Sequence, residues 1–350
     1  MSLAAALAGP TLPDLDDWPL FGWSDEARPA LGRALERGPA VLATIIALEG
    51  GGPRPIGTQM VFGDGVLDGY LSGGCIEADV AAHAQSCLID GAPRTLIYGE
   101  GSPWGDIRLL CGARLEVFVE AIPPGDPAAL ALAASAEIRT PVWWASDGGR
   151  RACLTAQPAA RREATVLRPY VPIPRLVIFG ADPIALAIAQ TGVLAGFETH
   201  LVRDKGPSTA PPILGVRYHR AEPAAVLSAL GGGDPWTYVA VCGHEPERDH
   251  AALVSALSGQ AAYVGLLGAR RRLEPRLTAL REAGVADDAL DRLRAPIGLD
   301  LGGKAPFEVA IAVLAEMILV RRGGQAARPA PKADSTLVEW PRAAQAHTGG

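Results

Sequence analysis

From Arg175 onward the sequence alternates short apolar runs with helical ones, and this alternation restricts the fold more than any other feature. Strands are expected at Leu176–Phe179, Thr199–Val202, Val216–His219, Tyr238–Cys242, Tyr263–Leu267 and near Pro296. Helices are expected between and after them, over 183–195, 221–230, 247–258, 270–284 and 306–321. Short strands separated by helices of this length are the signature of parallel βαβ units, so residues 175–322 predict an α/β, Rossmann-like, doubly wound parallel sheet. Ligands of such sheets lie in the crevice beyond the carboxyl ends of the strands.

The first half reads differently. A helical lead-in is expected over 1–36, where Ala27, Ala30, Leu31 and Leu35 recur at helical spacing. A mixed α+β domain is expected over 37–122, with strands at Ala40–Leu48, Gln59–Phe62, Leu67–Ser72, Arg94–Tyr98 and Leu115–Ala121 and one helix over Ile76–Ile89. Residues 123–174 read as a connecting segment with a helix over Ala128–Ala136 and a hairpin at Asp147-Gly148-Gly149. The stiff run from Arg168 to Pro174 reads as an interdomain linker, and 323–350 as a disordered tail.

Composition narrows the function classes. With Lys+Arg 32 against Asp+Glu 38, the net charge of −6 offers no global basic field for nucleic acid. The longest clean apolar run, Val41–Leu48, is far below the ~20 residues of a membrane span. The five cysteines form no CxxC pair, and the first residues carry no basic signal, so a cytoplasmic protein is expected. Most informative among the 41 glycines and 30 prolines are those at strand ends and helix starts.

One such loop is Ser72-Gly73-Gly74-Cys75-Ile76-Glu77. If Ser72 caps the following helix, Cys75 falls in its first turn, where free amides and the dipole stabilise a thiolate. Glu77 suits the same dipole and is placed to act as an acid or base beside the sulfur. The plainer alternative is a small cysteine packed against glycines. Arg54, in the loop Glu49–Thr58, supplies a planar fork for an anion, or simply a solvated side chain. Cys111 and Gly112 precede the strand at Leu115, giving a second thiol at a glycine-rich edge; two such thiols suit a soft centre such as molybdenum. Cys87 and Cys153 read as packing residues, whereas Cys242 ends a strand at the crevice.

In the second half, the first βα turn reads Gly180-Ala181-Asp182-Pro183, with Ala185 following. Gly180 and Ala185 fit a G-x-G-x-x-G/A fingerprint, but Asp182 replaces the glycine that admits pyrophosphate. Asp then Pro is an ordinary helix start, and its carboxylate would repel a phosphate by several kcal/mol at an effective dielectric of about 20. NAD(P) is therefore not expected, although Asp204 falls about 24 residues after Gly180, near a ribose-binding position. Other crevice candidates are His244, Asp249 and His250 after the fourth strand, able to bind a metal or move protons, or simply to cap a helix. Gly268 with Arg270, Arg271 and Arg272, and Asp300 in a further glycine loop, complete the set.

These segments together resemble the XdhC/CoxI family. The matching stretches are Gly52-Pro53-Arg54 with Gly57, Ser72–Glu77, Cys111-Gly112, Pro174–Ala181, His244 with Asp249, Tyr263–Gly268 with the arginines, and Pro296–Asp300, in family order over about residues 38–322. The family commonly has G-x-G-H in the Rossmann turn and Thr-His after the fourth strand, where this chain has Gly180-Ala181-Asp182-Pro183 and Gly243-His244. The resemblance implies a maturation chaperone rather than an enzyme: one that binds molybdenum cofactor (molybdopterin or its cytosine dinucleotide form), supports its sulfuration with a cysteine desulfurase, and delivers it to an apo molybdenum hydroxylase. It also implies a homodimer. On this reading Cys75 and Cys111 are candidate molybdenum ligands or sulfur carriers, with Arg54, Ser72, Gly73, Gly74, Glu77 and Gly112 around the cofactor. The competing readings are an NAD(P)-dependent oxidoreductase and a non-catalytic adaptor that docks through Arg270–Arg272.

Overall fold

The computed structural model describes residues 20–23, 25–52, 54–100, 102, 109, 112, 114–158, 164–268 and 273–323. Cys111, Arg270 and the tail expected over 323–350, apart from Gly323, lie outside the described residues, as does the start of the lead-in. The chain divides after Pro174 into two units.

The first unit is built on β1 (Ala40–Glu49), β2 (Gln59–Gly63), β3 (Val66–Asp68), β4 (Arg94–Tyr98) and β5 (Arg114–Ile122), an antiparallel sheet in the order β3-β2-β1-β5-β4. β1 is buried on both faces because its alternate side chains serve two cores. Val41, Ala43 and Ile45 meet Val80, Ala84 and Cys87 of α2 (Glu77–Asp90), while Ala40 and Leu42 meet Leu31, Ala34 and Leu35 of α1 (Arg28–Arg37). Ala27 at the N-cap and the buried α1 residues Ala30, Leu31, Ala34 and Leu35 follow the i, i+3, i+4, i+7, i+8 stripe of a helix laid on a core. A bulge between Ile45 and Ala47 re-aims the end of β1 before the loop that carries Arg54.

Two expectations for this half are corrected. The strand expected over Leu67–Ser72 ends at Asp68, because Gly69 turns at φ 85° and gives its N–H to the Phe21 carbonyl. Residues 123–174 hold the expected helix and the hairpin at Asp147-Gly148-Gly149, but within a packed sheet rather than a connecting segment. They form α3 (Pro127–Ala134), capped by Asp126, and a sheet β7-β6-β8 of β6 (Val142–Ser146), β7 (Arg151–Leu154) and β8 (Val166–Tyr170). Leu132, Val142, Trp144, Val166 and Tyr170 enter the core with Leu31 and Phe118. The run read as a linker from Arg168 thus begins inside β8, and its first residues pair with β6. A buried ion pair, Arg151 Nε to Glu120 Oε2 at 2.8 Å, ties this sheet to β5.

The second unit matches expectation closely. Strands β9 (Arg175–Gly180), β10 (Glu198–Val202), β11 (Val216–His219), β12 (Thr237–Cys242), β13 (Tyr263–Leu266) and β14 (Leu293–Arg294) are all parallel, in the order β11-β10-β9-β12-β13-β14. The helices are α4 (Pro183–Leu194), α5 (Pro223–Ala229), α6 (Pro246–Ser258), α7 (Leu273–Glu282), α8 (Asp287–Leu290) and α9 (Pro306–Arg321). Alternate residues of β9 and β12 point to opposite layers: Leu176, Ile178, Tyr238 and Ala240 share a core with α4 and α9, and Val177, Phe179, Val239 and Val241 one with α5 and α6. The strand order reverses between β9 and β12, which sets the crevice at Gly180 and Cys242.

Candidate functional site

In the first unit, the loop before α2 winds around a single carboxylate. Glu77 accepts six hydrogen bonds: from the N–H groups of Leu71 (2.9 Å), Ser72 (2.7 Å), Gly73 (3.1 Å), Gly74 (2.8 Å) and Ile76 (3.2 Å), and from the Ser72 hydroxyl (2.7 Å). Ser72 Oγ in turn accepts from the N–H groups of Cys75 (3.0 Å) and Ile76 (3.2 Å). Gly73 and Gly74 take φ values of 89° and 112°, which side-chain-bearing residues rarely adopt, and nothing crowds their missing Cβ atoms. The glycines are thus required by the path of the loop. Burial raises the Glu77 carboxyl, but hydrogen bonds from the Ser72 hydroxyl and the Ser72 and Leu71 amides outweigh it and hold the group below its ordinary value.

This geometry changes two expectations. α2 begins at Glu77 with Ile76 as its N-cap, so Cys75 precedes the helix instead of occupying its first turn. The two left-handed glycines delay helix entry, and Ser72 caps nothing in α2 itself; it closes the loop. The amides that were expected to stabilise a thiolate already serve Glu77 and Ser72. The Glu77 oxygens are likewise committed to holding the loop, which leaves no spare lone pair for acid–base work beside the sulfur. What the arrangement provides is an exposed thiol on a fixed loop.

Arg54 lies over the Tyr70 ring at 4.5 Å and donates to the Tyr70 hydroxyl at 3.3 Å, while its Nη2 pairs with Asp25. Its charge is therefore engaged inside the protein, which corrects the free anion fork expected of it. Tyr70 stands one residue from the Glu77-bound loop, so Arg54 buttresses that loop. Nothing in the sequence pointed to either Tyr70 or Asp25. Gly112 donates to the Leu109 carbonyl at 2.9 Å. Cys87 is buried against α2's core with its thiol 3.2 Å from the Ala92 carbonyl, and Cys153 is half-buried on β7, as packing residues.

In the second unit, Gly180 lies so close to β12 that a Cβ would sit 2.8 Å from the Cys242 carbonyl oxygen. Packing thus accounts for this glycine. Asp182 is the N-cap of α4: Oδ1 accepts from the Ala185 N–H at 2.7 Å, and Oδ2 lies 3.2 Å from His244 Nε2 across the crevice. The helix end that would cradle a pyrophosphate already carries a carboxylate. Asp204 is held by Arg248 at 3.3 Å, which engages the candidate ribose acid as well. Cys242 is wholly buried, and burial together with Asp182 and Asp249 drives its thiol far above the ordinary value, which removes it as a nucleophile.

Beyond the ends of β12 and β13 lies a cavity of about 170 Å³ whose wall includes Gly243, His244, Leu266, Gly268, Arg276 and Pro296. Asp249 is 3% exposed behind this wall, whereas His250 borders a second cavity of about 400 Å³ between α6 and α7. Asp300 is exposed on the loop after β14 and does not line the first cavity. No group of three His, Cys, Asp or Glu among the described residues is arranged to hold a metal, so His244, Asp249 and His250 do not converge as a metal site. No helix among the described residues is long and apolar enough to cross a membrane.

This pairing of a glycine-looped sheet with a parallel crevice is shared with known proteins. The chain is 31% identical to the molybdenum cofactor insertion chaperone PaoD of Escherichia coli, across 81% of this chain and 83% of that protein. It belongs to the XdhC and CoxI family. The XdhC and CoxI family profile matches residues 34–99, and that of the XdhC Rossmann domain matches residues 176–317. A Bacillus subtilis relative, described as a probable subunit of xanthine dehydrogenase, is 27% identical across 81% of this chain and 93% of its own. The crystal structure described as a xanthine dehydrogenase from Bacillus halodurans shares the XdhC fold, with a TM-score of 0.68 and 24% identity over 87% of this chain and 98% of that one. The XdhC profiles fall on both units: one covers β1 through β4 with Cys75, the other β9 through the greater part of α9.

Proposed function

We propose that this chain is a maturation factor for a molybdenum hydroxylase: it binds molybdenum cofactor as cargo, supports its sulfuration and hands it to the apoenzyme. The observation that carries this reading is the exposed Cys75 thiol on the loop fixed by Glu77, within a family whose relative PaoD is described as a molybdenum cofactor insertion chaperone. A thiol is the soft donor that suits molybdenum or a transferable sulfur, and the open space around Gly73 and Gly74 lets a bulky cofactor approach it. Cys111, outside the described residues, is the second candidate ligand. The reading includes a cysteine desulfurase as sulfur source, an apoenzyme of the xanthine dehydrogenase type as client, a homodimer, and a cytoplasmic setting. The role is accessory rather than catalytic. The Asp182 carboxylate at the α4 N-terminus supports leaving NAD(P) out of it.

The test is retention. Purified protein is mixed with released molybdenum cofactor, free ligand is removed by gel filtration, and bound molybdenum and pterin are measured for wild type, Cys75→Ala and Cys111→Ala. Wild type is expected to retain both, and Cys75→Ala to lose most of the molybdenum. No retention by the wild type overturns the reading.

A further inference from the structure

The last helix, α9, is apolar on both sides. Its inner face, with Ala310, Val313, Leu314 and Met317, lies in the core it shares with α4 and the parallel strands. Its outer face is apolar too: Phe307 is 51% exposed, Ile311 56% and Ile318 38%. Single exposed apolar side chains are ordinary, but a helix that is apolar all round belongs in an interior. Phe307, Ile311, the half-buried Ala315, Ile318 and Arg322 recur as i, i+4, i+8, i+11 and i+15. At 3.6 residues per turn this confines them to an arc of about 80°, and the apolar part runs about 17 Å along the helix.

The stripe is complementary to itself when reversed. Turned end for end about Ala315, it sets Ile311 opposite Ile318 of a second copy, and Ile318 opposite Ile311. Ala315, the smallest side chain of the stripe, then falls at the crossing, where it lets the two helices approach closely. The ends carry opposite charges, Glu308 in the first turn and Arg322 at the C-cap. Reversal brings Glu308 beside Arg322 of the second copy, and twofold symmetry forms this pair twice. The Glu308 carboxylate is already held in place, because its Oε2 accepts from the N–H groups of Lys304 (2.9 Å) and Ala305 (3.0 Å). A parallel pairing would instead set like charges together at both ends, which is unfavourable.

We propose that the outer face of α9 is where a second copy of this chain docks, as an antiparallel helix pair centred on Ala315 with Glu308–Arg322 ion pairs at both ends. The proposal deepens the homodimer of the reading above and rests on that element of it alone. By its inner face the same helix holds the loop that walls the crevice: the Leu299 N–H donates to the Ala312 carbonyl at 3.1 Å and the Gly298 N–H to Glu316 at 2.8 Å. Each crevice wall is thus carried by one helix of the pair.

Sedimentation velocity of the full chain over a hundredfold range of concentration reads the association. A dimer is expected, and it should dissociate on dilution, since one helix pair buries less than the ~800 Å² per partner of a standard interface. Ile311→Glu places a charge opposite Ile318 and is expected to weaken the dimer at least a hundredfold. Arg322→Glu sets two carboxylates together and is expected to weaken it at least threefold at low salt. Circular dichroism checks that both variants remain folded, and Leu214→Glu, at an exposed leucine outside α9, is expected to change nothing. A dimer that survives Ile311→Glu overturns the face and leaves the homodimer standing. A dimer broken by Ile311→Glu but indifferent to Arg322→Glu overturns the antiparallel pairing. A wild type that stays monomeric throughout overturns both the face and the homodimer, and leaves the stripe to another segment of the chain or to a client. Molybdenum retention is measured separately, so the cofactor reading stands or falls on its own result.

Discussion

The Ser72 hydroxyl donates to Glu77 Oε2 at 2.7 Å while accepting the Cys75 N–H at 3.0 Å, so one hydroxyl couples the carboxylate to the residue that bears the thiol. Each partner constrains the other. The loop is fixed from within by a charge of the chain itself, and this has consequences for stability.

Glu77→Gln replaces one acceptor oxygen by a donor facing N–H groups. Hydrogen bonds to a charged group contribute about 1.5–3 kcal/mol each but are not additive within a network. A loss of about 2–4 kcal/mol is expected in urea unfolding. Because the folded-state carboxyl is held below its ordinary value of 4.5, its contribution is complete above pH 4.5 and disappears as pH falls through the lower folded value. Unfolding midpoints measured down the acid limb should fall less steeply in the variant.

A second pH dependence is expected from β10 and β11. His200 Nδ1 and His219 Nε2 are 2.8 Å apart, and the other His200 nitrogen lies 3.1 Å from Glu198. Burial, His200 and Arg217 hold His219 below its ordinary value of 6.5, so the unfolded chain takes up its proton first. The associated stability is present above pH 6.5 and is lost as pH falls below it. Chemical denaturation between pH 7 and 5 should reveal this slope, and His219→Gln should flatten it. Glu198, held at about 2 by its His200 hydrogen bond and by Arg175 and Arg217, yields its own contribution only further into acid.

Asp182→Ala should cost about 1 kcal/mol through loss of the α4 cap, and Asp182→Gly only a few tenths. Both remove the carboxylate from the helix end. Calorimetry with ADP-ribose should show binding to Asp182→Gly at least tenfold tighter than to wild type. Equal affinities would mean that Asp182 does not control the crevice.

Among the described cysteines, Cys75 should react first with iodoacetamide, followed by Cys153, with Cys87 and Cys242 protected until the protein unfolds; peptide mass mapping reads the order. Cys75→Ala should change stability by no more than about 0.5 kcal/mol, because the side chain is exposed.

Gly180→Ala should destabilise by about 1–3 kcal/mol, since its Cβ would press on the Cys242 backbone rather than on a yielding side chain. Urea midpoints measure this directly.

The second unit was legible from the sequence because its buried parallel strands are short continuous apolar runs and α4, α5, α6 and α9 each open on a proline, as at Asp182-Pro183. Both features are local. In the three-stranded sheet the β6–β7 hairpin was legible at Asp147-Gly148-Gly149, but β8 was not, because Arg168-Pro169-Tyr170 looks like a stiff linker until Tyr170 is seen in a core with Leu31 and Phe118. The same divide runs through the candidate site. Cys75 and its glycines stood out by composition, but the direction of the Glu77 carboxylate depended on φ values at Gly73 and Gly74 that no periodicity reports. Arg54 looked like a free cation because its partner Asp25 lies in a different element. Asp249 read as a metal- or proton-handling candidate or part of a helix-capping loop, and its burial against Gly243, where a Cβ would lie 1.9 Å from its Oδ1, is a tertiary fact.

Asp182 has one further consequence, and it concerns competition. A helix end left open attracts whichever anion the solution holds in greatest abundance. Here the chain supplies that charge itself, so an anion arriving from solution meets the Asp182 carboxylate at the helix end, and the rest of the crevice wall is left to choose a ligand. That wall carries His244 and Arg276 beside Leu266, Leu267 and Pro296.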